Sequence, residues 1–312
     1  MHLPFDEHGI LLRRDAIASG IEDDWLHRMV RTDELIRMRQ GAYVDPAVWV
    51  PATPAGRHVL VGRAVMQQYD DRVALSHASA HLRRGGPDWG LDLSTVHVTN
   101  LFGRGDRRKA GITHHRGWVG VHDLTRTEDH WITAPGRTAV ETASLLPLAP
   151  AVGVLDWTLH HELTTREELD RYASEVMREW SDSPVLKLAV PLSDGRAESV
   201  AETRLRLLFR THGFDVEPQF EVFHPSGTLA GRVDMLLREL RLLVEFDGAI
   251  KYGRLLHPGQ TIKDVIREER AREVLLEELT GLRMFRTVWA DLDHPRRTIE
   301  RAIHASTARL AG

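Results

Sequence analysis

The chain has 312 residues, of which 42% are hydrophobic and 28% charged, and it contains no cysteine. That length exceeds the roughly 250–300 residues at which a single core stops growing, so two or three domains are expected. A net charge of −4 leaves no global basic field, which speaks against a general polyanion coater, and the missing cysteines exclude disulfides, thiolate metal sites and a cysteine nucleophile.

Local basic patches remain possible, because screening confines a charge to about 10 Å. There is no run of about 18 apolar residues, and the opening MHLPFDEHGI has neither a basic nor an apolar leader region. A cytoplasmic protein without membrane contact is therefore expected. Two Pro-rich or polar stretches, 45–56 and 181–199, read as linkers and divide the chain into units near 1–50, 51–190 and 196–312.

In the first unit RRDAIASGI reads as a short helix closing at Gly20. EDDWLHRMVRTD then opens with three acids, as a helix N-terminus favours. Two helices joined by a tight glycine turn make a helix-turn-helix pattern. ELIRMRQGAYV alternates as a strand pair turning at Gln40-Gly41, which would be a wing. Arg28 and Arg31 on the second helix and Arg37 and Arg39 along the wing are candidate contacts to double-stranded DNA, since guanidinium suits both phosphate and guanine edges. The alternative is a small helical subdomain with solvated arginines.

The middle unit carries RVALSHASAHLRR, a short strand running into a helix, and STVHVTN, a strand by alternation. Its most basic segment, GRGDRRKAGITHHRG, holds Arg104, Arg107, Arg108, Lys109 and Arg116. Such a segment suits a phosphate backbone or a solvated hairpin tip. His77 and His81 lie four apart, but no carboxylate completes a metal helix nearby, so they read as structural or surface histidines. Further on, LTTREEL reads as a threonine N-cap followed by Glu167 and Glu168.

The third unit opens with a helix, ESVAETRLRLLFRTHGF, striped by Leu205, Leu208 and Phe209. Strands QFEVFHP, GRVDMLL and LRLLVEFDG follow, then a long helix, QTIKDVIREERAREVLLEEL, and a strand, GLRMFRTVW. This order predicts a mixed sheet flanked by helices, and an α+β multidomain chain overall. Carboxylates in strands are costly unless paired, and a bound cation is one partner. Asp234 and Glu245 on neighbouring strands, with Glu202 from the helix, form a hard-oxygen set suited to Mg²⁺ or Mn²⁺. Such an ion activates water and neutralises charge on a scissile phosphate. Lys251, and Lys263, Arg267 and Arg270 at i, i+4 and i+7 on the second helix, supply positive charge. Glu202 and Arg206, also four apart, have a plain alternative as a helix-surface pair.

Glu202, GRVDM, LVEFDG and the basic helix resemble the PD-(D/E)XK, restriction-endonuclease-like nuclease superfamily over roughly residues 196–312. The resemblance is closest to its bacterial branch akin to very-short-patch repair endonucleases. LIRMRQGAYVDP, LSHASAHL, VHVT and ITAPGRTAVETA resemble the winged-helix proteins related to AbiEi-type antitoxins of type IV toxin–antitoxin systems, over residues 1–190. The resemblance implies a winged helix at 1–50, an AbiEi-like α/β domain at 51–190 and a nuclease-like domain at 196–312. It also implies a metal-dependent DNA endonuclease with Asp234 and Glu245 as metal-binding acids. In that family a lysine commonly lies two residues after the second acid, and Asp247 stands there instead. One reading makes Asp247 a third metal ligand, with Lys251 or Lys263 taking over the positive charge that orients the attacking water. The alternative is a catalytically silent transcriptional regulator, or an antitoxin with a cognate toxin as partner.

Overall fold

The structure, a computed structural model, describes residues 3–102, 107–116, 119–127, 130–179, 183–248 and 261–307. The chain divides into two compact units, one formed by 1–158 with 162–191 and the other by 159–161 with 192–312. Among the described residues it is mixed α+β with three sheets, and no helix is long and apolar enough to cross a membrane.

The first unit begins with β1 (Ile10–Leu12), α1 (Arg13–Ala18), α2 (Asp23–Arg31), β2 (Ile36–Arg39) and β3 (Ala42–Val44). The hairpin turns at Gly41, whose φ of +73° places it in the left-handed region that a β-carbon disfavours. β1 is an addition to the expected elements. Its Ile10, Leu11 and Leu12 are all buried, and it pairs with β3 to give the order β1-β3-β2.

The linker expected over 45–56 is instead largely helical. Asp45 caps α3 (Pro46–Trp49) by accepting from the Ala47 amide at 2.8 Å, and Pro54 starts α4 (Pro54–Tyr69). A proline in the first turn loses no hydrogen bond and brings a helical φ, so these prolines begin helices where they were expected to break them. Ala64 and Leu60 of α4 then pack against Ile10, Leu12 and Ala42, joining α4 to the small sheet of the first fifty residues.

The second sheet has the order β6-β7-β5-β4-β9-β8, from β4 (Val73–Leu75), β5 (Val96–Asn100), β6 (Arg107–Lys109), β7 (Ile112–His115), β8 (Leu124–Thr127) and β9 (His130–Thr133). α5 (His77–Arg83) follows β4 directly. α6 (Pro135–Ser144), α7 (Leu148–His160), α8 (Arg166–Glu179) and α9 (Pro184–Leu192) complete the unit's helices. α9 again starts at a proline inside an expected linker. The predicted threonine cap forms: Thr165 Oγ1 accepts from the Glu168 amide at 3.2 Å, and Glu168 Oε2 accepts from the Thr165 amide at 3.4 Å.

The second unit is built on α10 (Val200–Thr211), β10 (Glu217–Phe223), β11 (Leu229–Leu237), β12 (Leu242–Phe246), α11 (Ile262–Thr280), β13 (Arg283–Thr287), α12 (Trp289–Leu292) and α13 (Pro295–Thr307). The sheet runs β10-β11-β12-β13, with antiparallel pairs except for the parallel β12–β13 pair. Alternation on β12 assigns its two faces. Leu242, Val244 and Phe246 join Leu205 and Phe209 of α10 and Ile299 of α13 in one core, while Leu243 packs with Leu276 of α11 on the other. Burying Leu205 or Phe209 fully is worth about 1.5–3 kcal/mol each, so α10 is fixed firmly against the sheet.

Candidate functional site

Glu245 shares its face of β12 with Leu243 and is therefore turned toward α11. Asp234 precedes Met235 on β11 and Glu245 follows Val244, the register partner of Met235, so the two acids sit side by side on adjacent strands. Asp234 Oδ2 accepts from the Phe246 amide at 2.7 Å, which fixes one of its oxygens across the strand pair.

Two arginines that the sequence reading passed over meet these acids. Arg272 of α11 donates from Nη1 to Glu245 Oε1 at 2.6 Å and from Nη2 to the Arg232 carbonyl at 2.7 Å, clamping β11 to β12. Arg286 of β13 lies opposite Glu245 in the parallel register and contacts Glu245 Oε2 at 3.4 Å, Asp247 Oδ1 at 2.8 Å, Glu269 Oε1 at 3.1 Å and Glu273 Oε2 at 2.9 Å. Burial opposes the charge on Arg286, but hydrogen bonds to Asp247, Glu273 and Glu269 outweigh it and raise its pKa. Asp234, Glu245, Asp247, Glu269 and Glu273 are thus five carboxylates beside two guanidiniums. The donor set consists of hard oxygens with an excess of negative charge, which fits Mg²⁺ or Mn²⁺. Among the described residues, however, these acids do not bring three ligand atoms within 4.8 Å of one another.

Glu202 is buried at the start of α10 and engaged there. Its Oε1 accepts from the Ser199 hydroxyl at 2.7 Å, and its Oε2 accepts from the Glu198 amide at 3.0 Å and from Gln219 Nε2 at 2.8 Å. Gln219 has φ +54° inside β10, and the β10–β11 register sets it opposite Asp234. A left-handed backbone at a non-glycine strand position is strained, and the strain turns this side chain to Glu202. Arg206, the expected surface partner of Glu202, is fully buried and donates to the Leu192 carbonyl at 2.7 Å.

α11 presents Glu269, Arg272, Glu273 and Leu276 to the sheet, a spacing of i, i+3, i+4 and i+7. Lys263, Arg267 and Arg270 are exposed on the opposite side, and Arg267 pairs with Asp264 at 3.5 Å. The apolar residue Leu276 was the available signal, since counting back from it by three and four reaches Arg272, Glu273 and Glu269. Lys251 lies outside the described residues, as does Arg104.

In the first unit Arg28, Arg31 and Arg37 are exposed, whereas Arg39 is half-buried. Arg39 lines a cavity of about 610 Å³ with Arg57, His58 and Trp49, and burial lowers its pKa. Arg37 lines a different cavity, with Arg13, Asp23 and His27. Arg107, Arg108 and Lys109 stand exposed on β6, the edge strand paired with β7, and Arg108 donates to Ser94 Oγ at 3.2 Å.

A third constellation joins residues that the sequence reading left apart. His77, His97 and His115 have ring nitrogens within 4.8 Å of one another. His97 Nδ1 and His115 Nε2 are 2.8 Å apart, and the His77 ring stacks on His115 at 3.7 Å. His77 and His81 are both buried, not surface residues, and only His77 belongs to this cluster. His81 Nε2 lies 3.2 Å from the Pro87 carbonyl and its ring meets Trp157 edge-on. Burial pushes the pKa of His81 down to about 4, so it is neutral at physiological pH.

No family model matches this chain. Two proteins of Mycobacterium tuberculosis, the uncharacterized protein MT2308 of strain CDC 1551 and the uncharacterized protein Rv2248 of strain H37Rv, are each 28% identical to it over 288 residues. That span covers 91% of this chain and all of each relative. Among solved structures, the crystal structure of the Rv2827c protein of Mycobacterium tuberculosis covers 70% of this chain and 85% of its own at 16% identity, with a TM-score of 0.38.

Proposed function

We propose that the chain is a DNA-binding protein whose second unit is a metal-dependent endonuclease, hydrolysing phosphodiesters with Mg²⁺ or Mn²⁺ held by Asp234 and Glu245, with Asp247 adjoining. The observation that carries this reading is the excess of carboxylate over guanidinium where Asp234 and Glu245 stand side by side. A bound ion supplies Lewis acidity toward the scissile phosphate. Arg272 holds Glu245 in place from α11, Gln219 and Ser199 hold Glu202, and Arg286 spaces Asp247 from Glu245. Arg28, Arg31 and Arg37 in a winged helix would bring duplex DNA to the protein through phosphate contacts.

The test is incubation of the purified protein with supercoiled and linear DNA in Mg²⁺, Mn²⁺ or EDTA, beside Asp234→Ala and Glu245→Ala. Cleavage that needs metal and is lost in both variants supports the reading, and cleavage retained in both refutes it.

One observation favours a second reading. Arg286 already supplies a cation to Glu245 and Asp247, as a retired site held together by an internal charge would require. The protein would then be a non-catalytic transcriptional regulator or antitoxin. Its mark is salt-sensitive, sequence-selective binding without nicking, and a copurifying toxin would single out the antitoxin role.

A further inference from the structure

The geometry points to a second metal centre, independent of the carboxylate site: a divalent transition-metal ion bound by the imidazoles of His77, His97 and His115. β5 and β7 are parallel neighbours with Thr99 opposite His115, which brings His97 and His115 to one face of the second sheet. The alternation of VHVT sends Val96 and Val98 into the core beneath the sheet and leaves His97 on the other face. His77 enters from the start of α5, with φ +49°, a strained position for a residue carrying a side chain.

Several features of the surroundings suit imidazole ligation. The backbone that carries His97 is anchored, and serine and carboxylate partners meet the His77 ring. The His97 backbone amide donates to Ser79 Oγ at 2.8 Å, and Ser79 Oγ lies 2.8 Å from His58 Nε2. His77 Nδ1 is 3.0 Å from Ser76 Oγ and 3.6 Å from Glu141 Oε2, and Arg137 Nε donates to Glu141 Oε1 at 2.7 Å. Carboxylates and hydroxyls behind imidazoles are what orients metal-binding histidines.

The cluster also opens on one side. His97 and His115 line a cavity of about 380 Å³ together with Thr95, Thr113 and Arg108. Three imidazoles with one accessible position match the donor set of Zn²⁺ and of its spectroscopic substitute Co²⁺.

Binding requires two local changes. At about 2.0–2.1 Å from a tetrahedral ion, two nitrogens lie roughly 3.3 Å apart, so the 2.8 Å pair His97 Nδ1 and His115 Nε2 widens slightly. The proton they share moves to the far nitrogen of the ring that carries it. On His97 that is Nε2, 3.5 Å from Thr95 Oγ1. The His77 ring turns out of its stack on His115.

The experiment uses the full chain, stripped with chelator and titrated with Co²⁺ alone, read by visible absorption and by X-ray absorption at the cobalt edge. We expect one histidine-bound ion per chain beside any cobalt taken up by the carboxylate site, a low-symmetry ligand-field band and, in wild type as in Asp234→Ala, a first shell with the multiple-scattering signature of imidazole. His97→Gln and His115→Asn should abolish the band, while Asp234→Ala and Glu245→Ala should leave it unchanged. A wild-type protein with no band, a first shell of oxygen alone, or a band lost with Asp234 but kept without His115 would overturn the assignment. The wild-type spectra decide the question even if a histidine variant fails to fold.

Discussion

Replacing Arg286 by glutamine tests the electrostatic logic of the carboxylate cluster. The guanidinium touches Glu245, Asp247, Glu269 and Glu273, with its side chain 25% exposed. Breaking a buried ion pair by removing one partner costs roughly 3–5 kcal/mol, and partial solvent access scales this to about 2–3 kcal/mol here. For a unit of this size that lowers Tm by about 10 °C.

The loss has a specific pH signature. Crowded carboxylates without their cation bind protons more readily folded than unfolded, so the folded variant gains protons relative to its unfolded chain as the pH falls, and its stability rises relative to wild type. The assay is urea unfolding of both proteins from pH 8 to pH 5, with and without millimolar Mg²⁺. The deficit should be largest at pH 8, shrink toward pH 5 and be partly recovered by Mg²⁺, which replaces the missing positive charge. A deficit below about 0.5 kcal/mol, or one equal at all pH values and indifferent to Mg²⁺, would refute the idea that the cluster is held together by charge.

Other expectations rest on single residues. A β-carbon on Gly86 would lie 2.2 Å from His81 Nε2, so Gly86→Ala should cost about 1–3 kcal/mol in chemical unfolding, and much less in a His81→Ala background. His81 itself has its pKa lowered from 6.5 to about 4, so its folded form resists protonation that the unfolded chain accepts. Its contribution is full above pH 6.5 and lost as the pH falls toward 4, about 3 kcal/mol in all, and a proton-linkage plot of His81→Gln against wild type should show the difference. Phe209→Ala removes a fully buried ring from the core under α10 and should lower the unfolding free energy of the second unit by about 3–5 kcal/mol, measured by denaturant titration. If the protein binds duplex DNA, Arg28→Ala, Arg31→Ala and Arg37→Ala should each lower the steepness of log K against log salt by about 0.9, whereas Arg39→Ala, whose side chain faces a cavity, should not.

The sequence alone determined what depends on short-range periodicity. The strand pair around Gln40-Gly41, the threonine cap at Thr165, the Leu205–Phe209 stripe and the order of elements in the second unit up to its last strand were legible, because alternation, capping and apolar spacing are local, whereas the two helices after that strand, Trp289–Leu292 and Pro295–Thr307, were not read. Asp234 and Glu245 could likewise be singled out as acids in strands. Prolines misled where position within a helix decided their meaning: Pro46, Pro54 and Pro184 open helices inside expected linkers.

Only the tertiary structure decided which charges meet. Arg286 reaches Glu245 through a parallel pairing 41 residues apart in sequence, and Arg272 reaches it because packing of Leu276 selects which side of α11 faces the sheet. His77, His97 and His115 come from three elements, and a one-residue change of strand register would turn His97 or His115 to the opposite face. Register and helix rotation are set by the burial of apolar neighbours far along the chain, and no local pattern around a single arginine or histidine contains that information.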